Sequence, residues 1–149
     1  MTAANDARFW DKTAKRYAAS KIADLGGYER TLERTRSFLQ PNDRVLELGC
    51  GTGTTALRLA STVGSYLATD ISEQMIGIAR QKLHEEQVPN LVFRPAVAED
   101  LASEDQRFDV VLAYNYLHLV RDPGATLGTI SRLLSRKASS SRKRHAWER

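Results

Sequence analysis

The sequence predicts one α/β domain built on a doubly wound parallel sheet. Four short apolar runs, each bounded by Gly, Pro, Asn or Asp, have the composition of buried strands. Segments with helical spacing separate the first three runs. The length of 149 residues, with 42% hydrophobic and 27% charged residues, fits one globular domain and leaves no room for two ordinary ones.

The predicted elements alternate along the chain. Residues 6–20 place aromatic and small side chains at helical spacing, which predicts an amphipathic helix ahead of the sheet. The pair Gly26-Gly27 is predicted to separate this helix from the next one. Ser72 is a typical N-cap, and Pro123 suits the first turn of the last helix. Strands are predicted at Arg44–Leu48 and at residues 65–69, 91–94 and 108–113, and helices at residues 28–39, 55–62, 72–86 and 123–134.

The positive charge of the chain is confined to its C-terminal part. Residues 135–149 hold six basic residues and one acidic residue, a net charge of +5, and since the whole chain carries +4, residues 1–134 carry −1. A nearly neutral domain does not favour a nucleic-acid partner. The tail has three consecutive serines and no β pattern, which is typical of disorder. A nucleic-acid-binding tail is disfavoured, because its one aromatic residue, Trp147, does not interleave with the basic run.

The stretch Glu47-Leu-Gly-Cys-Gly-Thr-Gly53 is the most informative part of the sequence. A strand runs directly into three glycines at alternate positions and then into a helix. Glycines let the backbone turn tightly and approach a ligand, and the helix beyond them offers free N–H groups. In open α/β sheets, ligands bind at this end of the strands. The stretch therefore predicts a cofactor loop.

The residues around the loop bear on which ligand it binds. A dinucleotide-binding fingerprint requires glycine or alanine at the position where this chain has Thr54. The negative carboxylate of Glu47 is also unsuited to a neighbouring pyrophosphate. A carboxylate there suits a cationic ligand such as S-adenosylmethionine. Asp70 follows Gly49 by 21 residues, where an acid accepts hydrogen bonds from ribose hydroxyls. Alternatively, Asp70 only caps the helix that begins near Ser72.

Four motifs in order resemble those of class I S-adenosylmethionine-dependent methyltransferases, and most of all the small-molecule group labelled methyltransferase type 11. They are the glycine loop, Thr69-Asp-Ile-Ser72, Ala98-Glu-Asp-Leu101 and Phe108-Asp-Val-Val111. The resemblance spans residues 9–134, since Phe9-Trp-Asp11 and Arg16-Tyr-Ala18 also resemble the opening helix of that group. It implies a Rossmann-like fold with helices on both faces of the sheet, and S-adenosylmethionine as the cofactor.

The resemblance also implies roles for individual residues. The loop would surround the methionine part of the cofactor, Asp70 would hold the ribose, and two apolar side chains would flank the adenine unless they simply belong to the core. Two residues near 98 would lie at the adenine edge, although many relatives have aspartate where this chain has Val97. The backbone of Asn115, after the fourth strand, would contact the methionine amino group. Tyr17 of the opening helix would close over the cofactor or only pack against the domain. The implied cofactor-binding set is Tyr17, Glu47, Gly49, Cys50, Gly51, Gly53, Asp70, Ile71, Met75, Ala98, Glu99 and Asn115.

Methyl transfer is an in-line displacement in which the protein mainly aligns the two reactants. A general base helps only when the acceptor must lose a proton. His118, just after the fourth strand, is the candidate base, although a lone histidine near a helix start is more often structural. Tyr116 is a weaker candidate, and Cys50 is not expected to be a nucleophile. Nothing in the sequence has metal-ligand spacing.

The resemblance ends after Leu134. The family continues with a turn of the Lys-Pro-Gly-Gly type and a fifth strand, in a seven-stranded sheet of order 3-2-1-4-5-7-6. This chain is predicted to supply only 3-2-1-4, followed by the basic tail at residues 135–149, as in a truncated or frame-shifted gene product. Strand four would then be an exposed apolar edge, through which the chain could self-associate.

Three functions remain open from the sequence. The first is S-adenosylmethionine-dependent methyl transfer to a small-molecule acceptor, and the second is cofactor binding without turnover. A nicotinamide-dependent oxidoreductase is disfavoured by Thr54 and Glu47. The N-terminus lacks the layout of a secretory signal, and no apolar run has the length of a membrane span, so a cytoplasmic location is expected and no membrane partner.

Overall fold

The computed structural model describes residues 6–11, 25–114, 116–134 and 144–146. Helices and strands alternate through most of this range, as the hydrophobic pattern predicts. The helices are α1 (residues 6–11), α2 (Leu25–Phe38), α3 (Thr54–Leu59), α4 (Glu73–Glu86), α5 (Ala98–Ser103) and α6 (Pro123–Leu133). The strands are β1 (Arg44–Leu48), β2 (Ser65–Asp70), β3 (Leu91–Pro95), β4 (Val110–Leu112) and β5 (Arg144–Ala146).

The strands form one parallel sheet in the order β3-β2-β1-β4-β5. Strand β1 is central, and its Leu46 pairs with Leu67 of β2 on one side and with Val111 of β4 on the other. Because all strands run in one direction, their carboxyl ends meet at one edge of the sheet. The glycine loop after β1 and the acid that ends β2 therefore lie side by side.

Each face of the sheet buries its own core. Val45 of β1 packs with residues of α2, α3 and α4, such as Leu32 and Ile76. Leu46 and Leu48, which point to the opposite face, pack with residues of α5 and α6. The alternation along β1 thus fixes which helices cover which face. Burial on both faces explains why β1 shows no exposed polar stripe, apart from Arg44 at its start.

Two helix starts are capped by side chains, by Ser72 as predicted and by Asp122, which was not predicted. The Ser72 hydroxyl accepts a hydrogen bond from the Met75 N–H at 3.2 Å, and Asp122 accepts one from the Ala125 N–H at 3.0 Å. Each cap satisfies one amide that has no partner inside its own helix. The start of α4 matters most for function, because it follows directly on β2.

The structure corrects three predictions about the elements. The pair Gly26-Gly27 does not break a helix but lies in the first turn of α2, where amides have no intrahelical partner and glycine costs least. Helix α5, which spans six residues, was not predicted. No strand was predicted after residue 134, yet residues 144–146 form β5 and pair with β4.

Strand β4 is therefore not an open edge, and the surface proposed for self-association is covered by β5. Strands pair through their backbone N–H and C=O groups, which does not require an apolar side-chain pattern. A segment of the basic tail can therefore pair with β4. The rest of the tail lies outside the described residues. Across the described ranges, no helix has the length and apolarity needed to cross a bilayer.

Candidate cofactor-binding site

The glycine loop adopts a backbone that only glycine tolerates easily. Gly49, Gly51 and Gly53 have φ angles of 69°, 58° and 84°, all in the left-handed region. Space is short as well: a Cβ on Gly49 would lie 3.0 Å from Cδ2 of Tyr116, and one on Gly53 would lie 2.5 Å from Cζ of Phe93. The loop thus needs glycine at these two positions for both backbone and steric reasons.

Asp70 lies beside this loop at the end of β2. Its Oδ2 accepts a hydrogen bond from the Gly51 N–H at 2.9 Å, and its Oδ1 accepts one from the Ser72 N–H at 3.0 Å. Burial raises the pKa of the Asp70 carboxyl above its ordinary value, while these backbone amides act in the opposite direction. The Ile71 amide acts in the same direction as these two amides, and since a carboxylate has about four lone-pair sites, Asp70 keeps some acceptor capacity. Asp70 therefore fixes the loop, whereas the N-cap of α4 is Ser72 and not Asp70. The ribose role of Asp70 stays a prediction.

Glu47 is buried beneath the loop, with 4% of its surface exposed. The Tyr66 hydroxyl donates a hydrogen bond of 2.7 Å to its Oε1. Burial raises the pKa of the Glu47 carboxyl to about 7, although the hydrogen bond from Tyr66 opposes the shift. Near neutral pH, Glu47 is thus divided between its neutral and charged forms rather than being the fixed negative charge that the sequence predicts.

Cys50 connects the loop to β2 through its backbone, since its N–H donates to the Thr69 carbonyl at 2.9 Å. Its side chain is buried. Burial raises the pKa of the Cys50 thiol well above its ordinary value, and the nearby acids Glu47 and Asp70 act in the same direction. The thiol therefore stays protonated, which agrees with the expectation that Cys50 is not a nucleophile.

The residues predicted near the adenine lie around the same edge of the sheet. Ile71 is half-buried directly after Asp70, whereas Met75 is only 2% exposed within α4. Ala98 is buried at the first position of α5, and Glu99 beside it is exposed. The burial of Met75 favours a core role for it, which leaves Ile71 as the more accessible apolar side chain.

Tyr116 packs across the loop, with its ring over Gly49. Burial raises the pKa of Tyr116 to about 12, and the carboxylate of Glu99 adds to the shift. The phenol therefore keeps its proton at physiological pH and can donate a hydrogen bond, but it is not suited to act as a base. This argues against a role for Tyr116 as the general base.

Three predicted site residues lie wholly or partly outside the described residues. Tyr17 and Asn115 are not described. The backbone of His118 belongs to a 3-10 turn, Leu117–Leu119, that follows β4. Its position after β4 matches the sequence-based expectation, but its side chain is outside the described part, and its catalytic role stays a prediction.

The sequence analysis missed three side chains around the loop. Lys82 of α4 donates to the hydroxyls of Thr52 and Thr54 at 3.2 and 3.3 Å, and burial lowers the pKa of Lys82. Tyr66 could have been found, because strand register and alternation place it on the face that carries Glu47. Asp11, which contacts the start of α4, had no local signal, since its partner Ser72 is 61 residues away.

A parallel doubly wound sheet with a glycine loop after β1 and an acid at the end of β2 defines a Rossmann-like fold, in which nucleoside cofactors bind at this edge of the sheet. Within the described residues, no group of three or more His, Cys, Asp or Glu side chains is arranged to hold a metal ion. The comparisons with known proteins specify the family further.

A family model described as "Methyltransferase domain" matches residues 39–140, and the chain belongs to this family of methyltransferases. The cofactor of the family is S-adenosylmethionine. The matched range contains the glycine loop, Asp70 and both adenine-edge positions. The family assignment agrees with the resemblance inferred from the sequence motifs.

Two bacterial relatives illustrate the similarity. The chain is 28% identical over 129 residues to the uncharacterized methyltransferase YcgJ of Bacillus subtilis, covering 84% of this chain and 49% of the relative. It is 30% identical over 135 residues to the ubiquinone/menaquinone biosynthesis C-methyltransferase UbiE of Vibrio campbellii, covering 86% and 52%. The chain thus spans about half the length of the curated relatives that it matches.

Solved structures show the same fold. Magnesium protoporphyrin IX methyltransferase from Synechocystis, solved with bound S-adenosylmethionine, aligns with a TM-score of 0.73 at 21% identity, over 89% of this chain and 72% of that one. The YcgJ structure from Bacillus subtilis aligns with a TM-score of 0.66 at 26% identity, over 72% and 47%. At 21% identity, the first similarity shows the fold alone.

The described residues fit S-adenosylmethionine by the chemistry of their polar groups. Asp70 is a carboxylate with acceptor capacity beyond the backbone amides that it already binds, which suits the hydroxyls of a ribose. The three glycines leave alternate positions of the loop backbone without a side chain. Glu47 beneath it gains charge when a cation lies nearby, because a positive neighbour lowers the pKa of a carboxyl group.

Proposed function

We propose that this chain binds S-adenosylmethionine at the carboxyl ends of β1 and β2 and transfers its methyl group to a small-molecule acceptor. The observation that carries the proposal is Asp70, which is held by the amides of Gly51 and Ser72 and still has acceptors to offer. The family match and the absence of a pyrophosphate-type fingerprint support the same cofactor.

Each part of the site has a proposed role. The loop residues Gly49, Gly51 and Gly53 lie against the methionine part, Asp70 binds the ribose hydroxyls, and Ile71 contacts the adenine. The position of Ala98 at the start of α5, next to Glu99, supports an adenine-edge role for these two. For Met75, Asn115 and Tyr17 the proposal rests on the sequence resemblance.

The chemistry asks the protein mainly to align the reactants. When bound, S-adenosylmethionine supplies a methyl group on a sulfonium, which is already a good leaving group. In the transfer, a lone pair of the acceptor would bond to the methyl carbon as the carbon–sulfur bond breaks, and S-adenosylhomocysteine would be released. Holding the acceptor in line contributes most of the acceleration. His118 is the proposed base for an acceptor that must lose a proton.

The acceptor is proposed to be a small molecule, because the matched relatives with a named substrate act in small-molecule biosynthesis. UbiE is named for ubiquinone and menaquinone biosynthesis. The relatives extend over about twice the length that this chain covers, so the acceptor is left at the level of chemical class.

Titration calorimetry with S-adenosylhomocysteine tests the proposal directly. We expect the purified chain to bind it, and Asp70→Ala to weaken binding about tenfold or more, since two charge-assisted hydrogen bonds are lost. Glu33→Ala is the matched control, because Glu33 is an exposed acid on α2. Loss of affinity in the control equal to that in Asp70→Ala would contradict the assigned site.

Two further measurements separate the proposal from its rivals. Binding of NAD in place of S-adenosylhomocysteine would overturn the methyltransferase assignment in favour of an oxidoreductase. Transfer of a labelled methyl group to any member of a small-molecule acceptor panel would establish turnover. Cofactor binding by the folded chain without turnover on the panel would support a chain that only binds.

A further inference from the structure

The N-terminal helix α1 is tied to the start of α4 by one carboxylate. Oδ1 of Asp11 accepts a hydrogen bond from the Ser72 hydroxyl at 2.5 Å and a second from the Gln74 N–H at 3.1 Å. Gln74 lies in the first turn of α4, where backbone amides have no intrahelical partner. Asp11 thus satisfies a free amide from a position 63 residues away in sequence.

Ser72 is the link between Asp11 and the proposed ribose site. It is completely buried, and both its hydroxyl and its backbone N–H make hydrogen bonds. The Ser72 hydroxyl donates a hydrogen bond to Asp11 and accepts one from the Met75 N–H. The Ser72 backbone N–H donates a hydrogen bond to Oδ1 of Asp70. Since the hydroxyl has a single proton, Asp11 determines the direction in which it points.

The arrangement places a second negative charge near Asp70. The carboxylate of Asp11 is close enough to raise the pKa of Asp70 slightly, so the contact carries an electrostatic cost. The positive end of the α4 dipole offsets part of that cost. A contact that brings two carboxylates together at the cofactor edge is better explained by positioning than by stability alone.

We infer that Asp11 is a positioning residue for Asp70, acting through Ser72. The inference rests on the proposed function, because Asp70 is taken to bind the ribose of the cofactor. Asp11 holds Ser72, and Ser72 holds one of the two carboxylate oxygens of Asp70 in place. Asp11 itself need not touch the cofactor.

Ribose discrimination tests the inference. Asp11→Ala is expected to weaken binding of S-adenosylhomocysteine about fivefold, because Ser72 then no longer holds one carboxylate oxygen of Asp70 in place. Binding of the 2′-deoxy analogue, which lacks one of the hydroxyls proposed to contact Asp70, is expected to change less than about twofold. A merely structural role would weaken both ligands equally, so an unchanged ratio between them would overturn the inference.

Two variants control the experiment. Asp11→Asn keeps an acceptor oxygen and is expected to recover most of the affinity. Glu73→Gln removes a negative charge from the same end of α4, where Glu73 is exposed, and is expected to leave the ratio unchanged. A shift of the ratio by Glu73→Gln as large as that by Asp11→Ala would mean that charge alone is responsible and would refute the positioning role.

A measurement on the unaltered chain covers the case in which Asp11→Ala does not fold. By linkage, a ligand that is helped by the Asp11 contact must in turn strengthen that contact. Hydrogen exchange of the Gln74 amide is therefore expected to slow when S-adenosylhomocysteine binds, and unchanged exchange would overturn the inference. If the unaltered chain does not bind S-adenosylhomocysteine at all, the proposed function fails and this inference fails with it.

Discussion

The substitution Gly53→Ala tests the steric account of the glycine loop. Gly53 has φ 84°, and the added Cβ would lie 2.5 and 2.7 Å from two ring atoms of Phe93 and 3.0 Å from Cβ of Ala79. Phe93 is only 2% exposed, so its ring has little room to move. Placing a non-glycine residue in the left-handed region costs about 1–2 kcal/mol. Overpacking adds about 1–3 kcal/mol, so we expect a loss of about 2–5 kcal/mol in the free energy of unfolding.

Urea denaturation followed by circular dichroism measures this loss, with Gly77→Ala as the matched control. Gly77 lies within α4, and an added Cβ there would meet nothing within 4 Å. The same chemical change is therefore expected to stabilise the protein by about 0.5–1 kcal/mol, because alanine is the better helix former. A Gly53→Ala variant as stable as the unaltered chain would refute the steric argument.

Three other side chains give separate predictions. The pKa of Glu47 rises from 4.5 to about 7 on folding, so its contribution to stability is present below pH 4.5 and is lost as the pH rises through about 7. The loss amounts to about 3 kcal/mol in the free energy of unfolding, and Glu47→Gln is expected to abolish it. Urea midpoints of both proteins at about pH 5 and about pH 8 measure the difference. Cys50, the single cysteine, is expected to react with a thiol reagent at least about tenfold more slowly in the native than in the urea-unfolded chain, and equal rates would contradict its burial. Lys82→Met is expected to weaken S-adenosylhomocysteine binding about threefold in calorimetry, since the hydroxyls of Thr52 and Thr54 lose their donor.

The central part of the fold was predictable because local and global signals agree there. Strand β1 was predicted with its observed bounds, and β2 and β3 each extend one residue beyond prediction. Each of these strands is short, apolar and bounded by turn residues, so composition alone separates it from its surroundings. The glycine loop was equally clear, because its positive φ angles leave a direct mark on residue choice.

The features that were missed depend on contacts distant in sequence. Strand β5 has no apolar pattern. It forms through backbone pairing with β4, and this pairing leaves no signal in the side-chain sequence. The charge state of Glu47 depends on Tyr66 and on complete burial, neither of which a motif describes. The contact of Asp11 with Ser72 joins two segments that are 61 residues apart, so it can be recognised only in the folded structure.

The support of Gly53 by Phe93 has a consequence for the dynamics of the loop. Phe93 belongs to β3, which lies at one end of the sheet order. Outer strands commonly open in local fluctuations that cost less than global unfolding. If β3 separates from β2, the Phe93 ring no longer packs against Gly53, and the glycine loop loses that contact. Fluctuations of β3 are therefore expected to reach the glycine loop, even though β3 supplies none of the residues proposed to contact the cofactor.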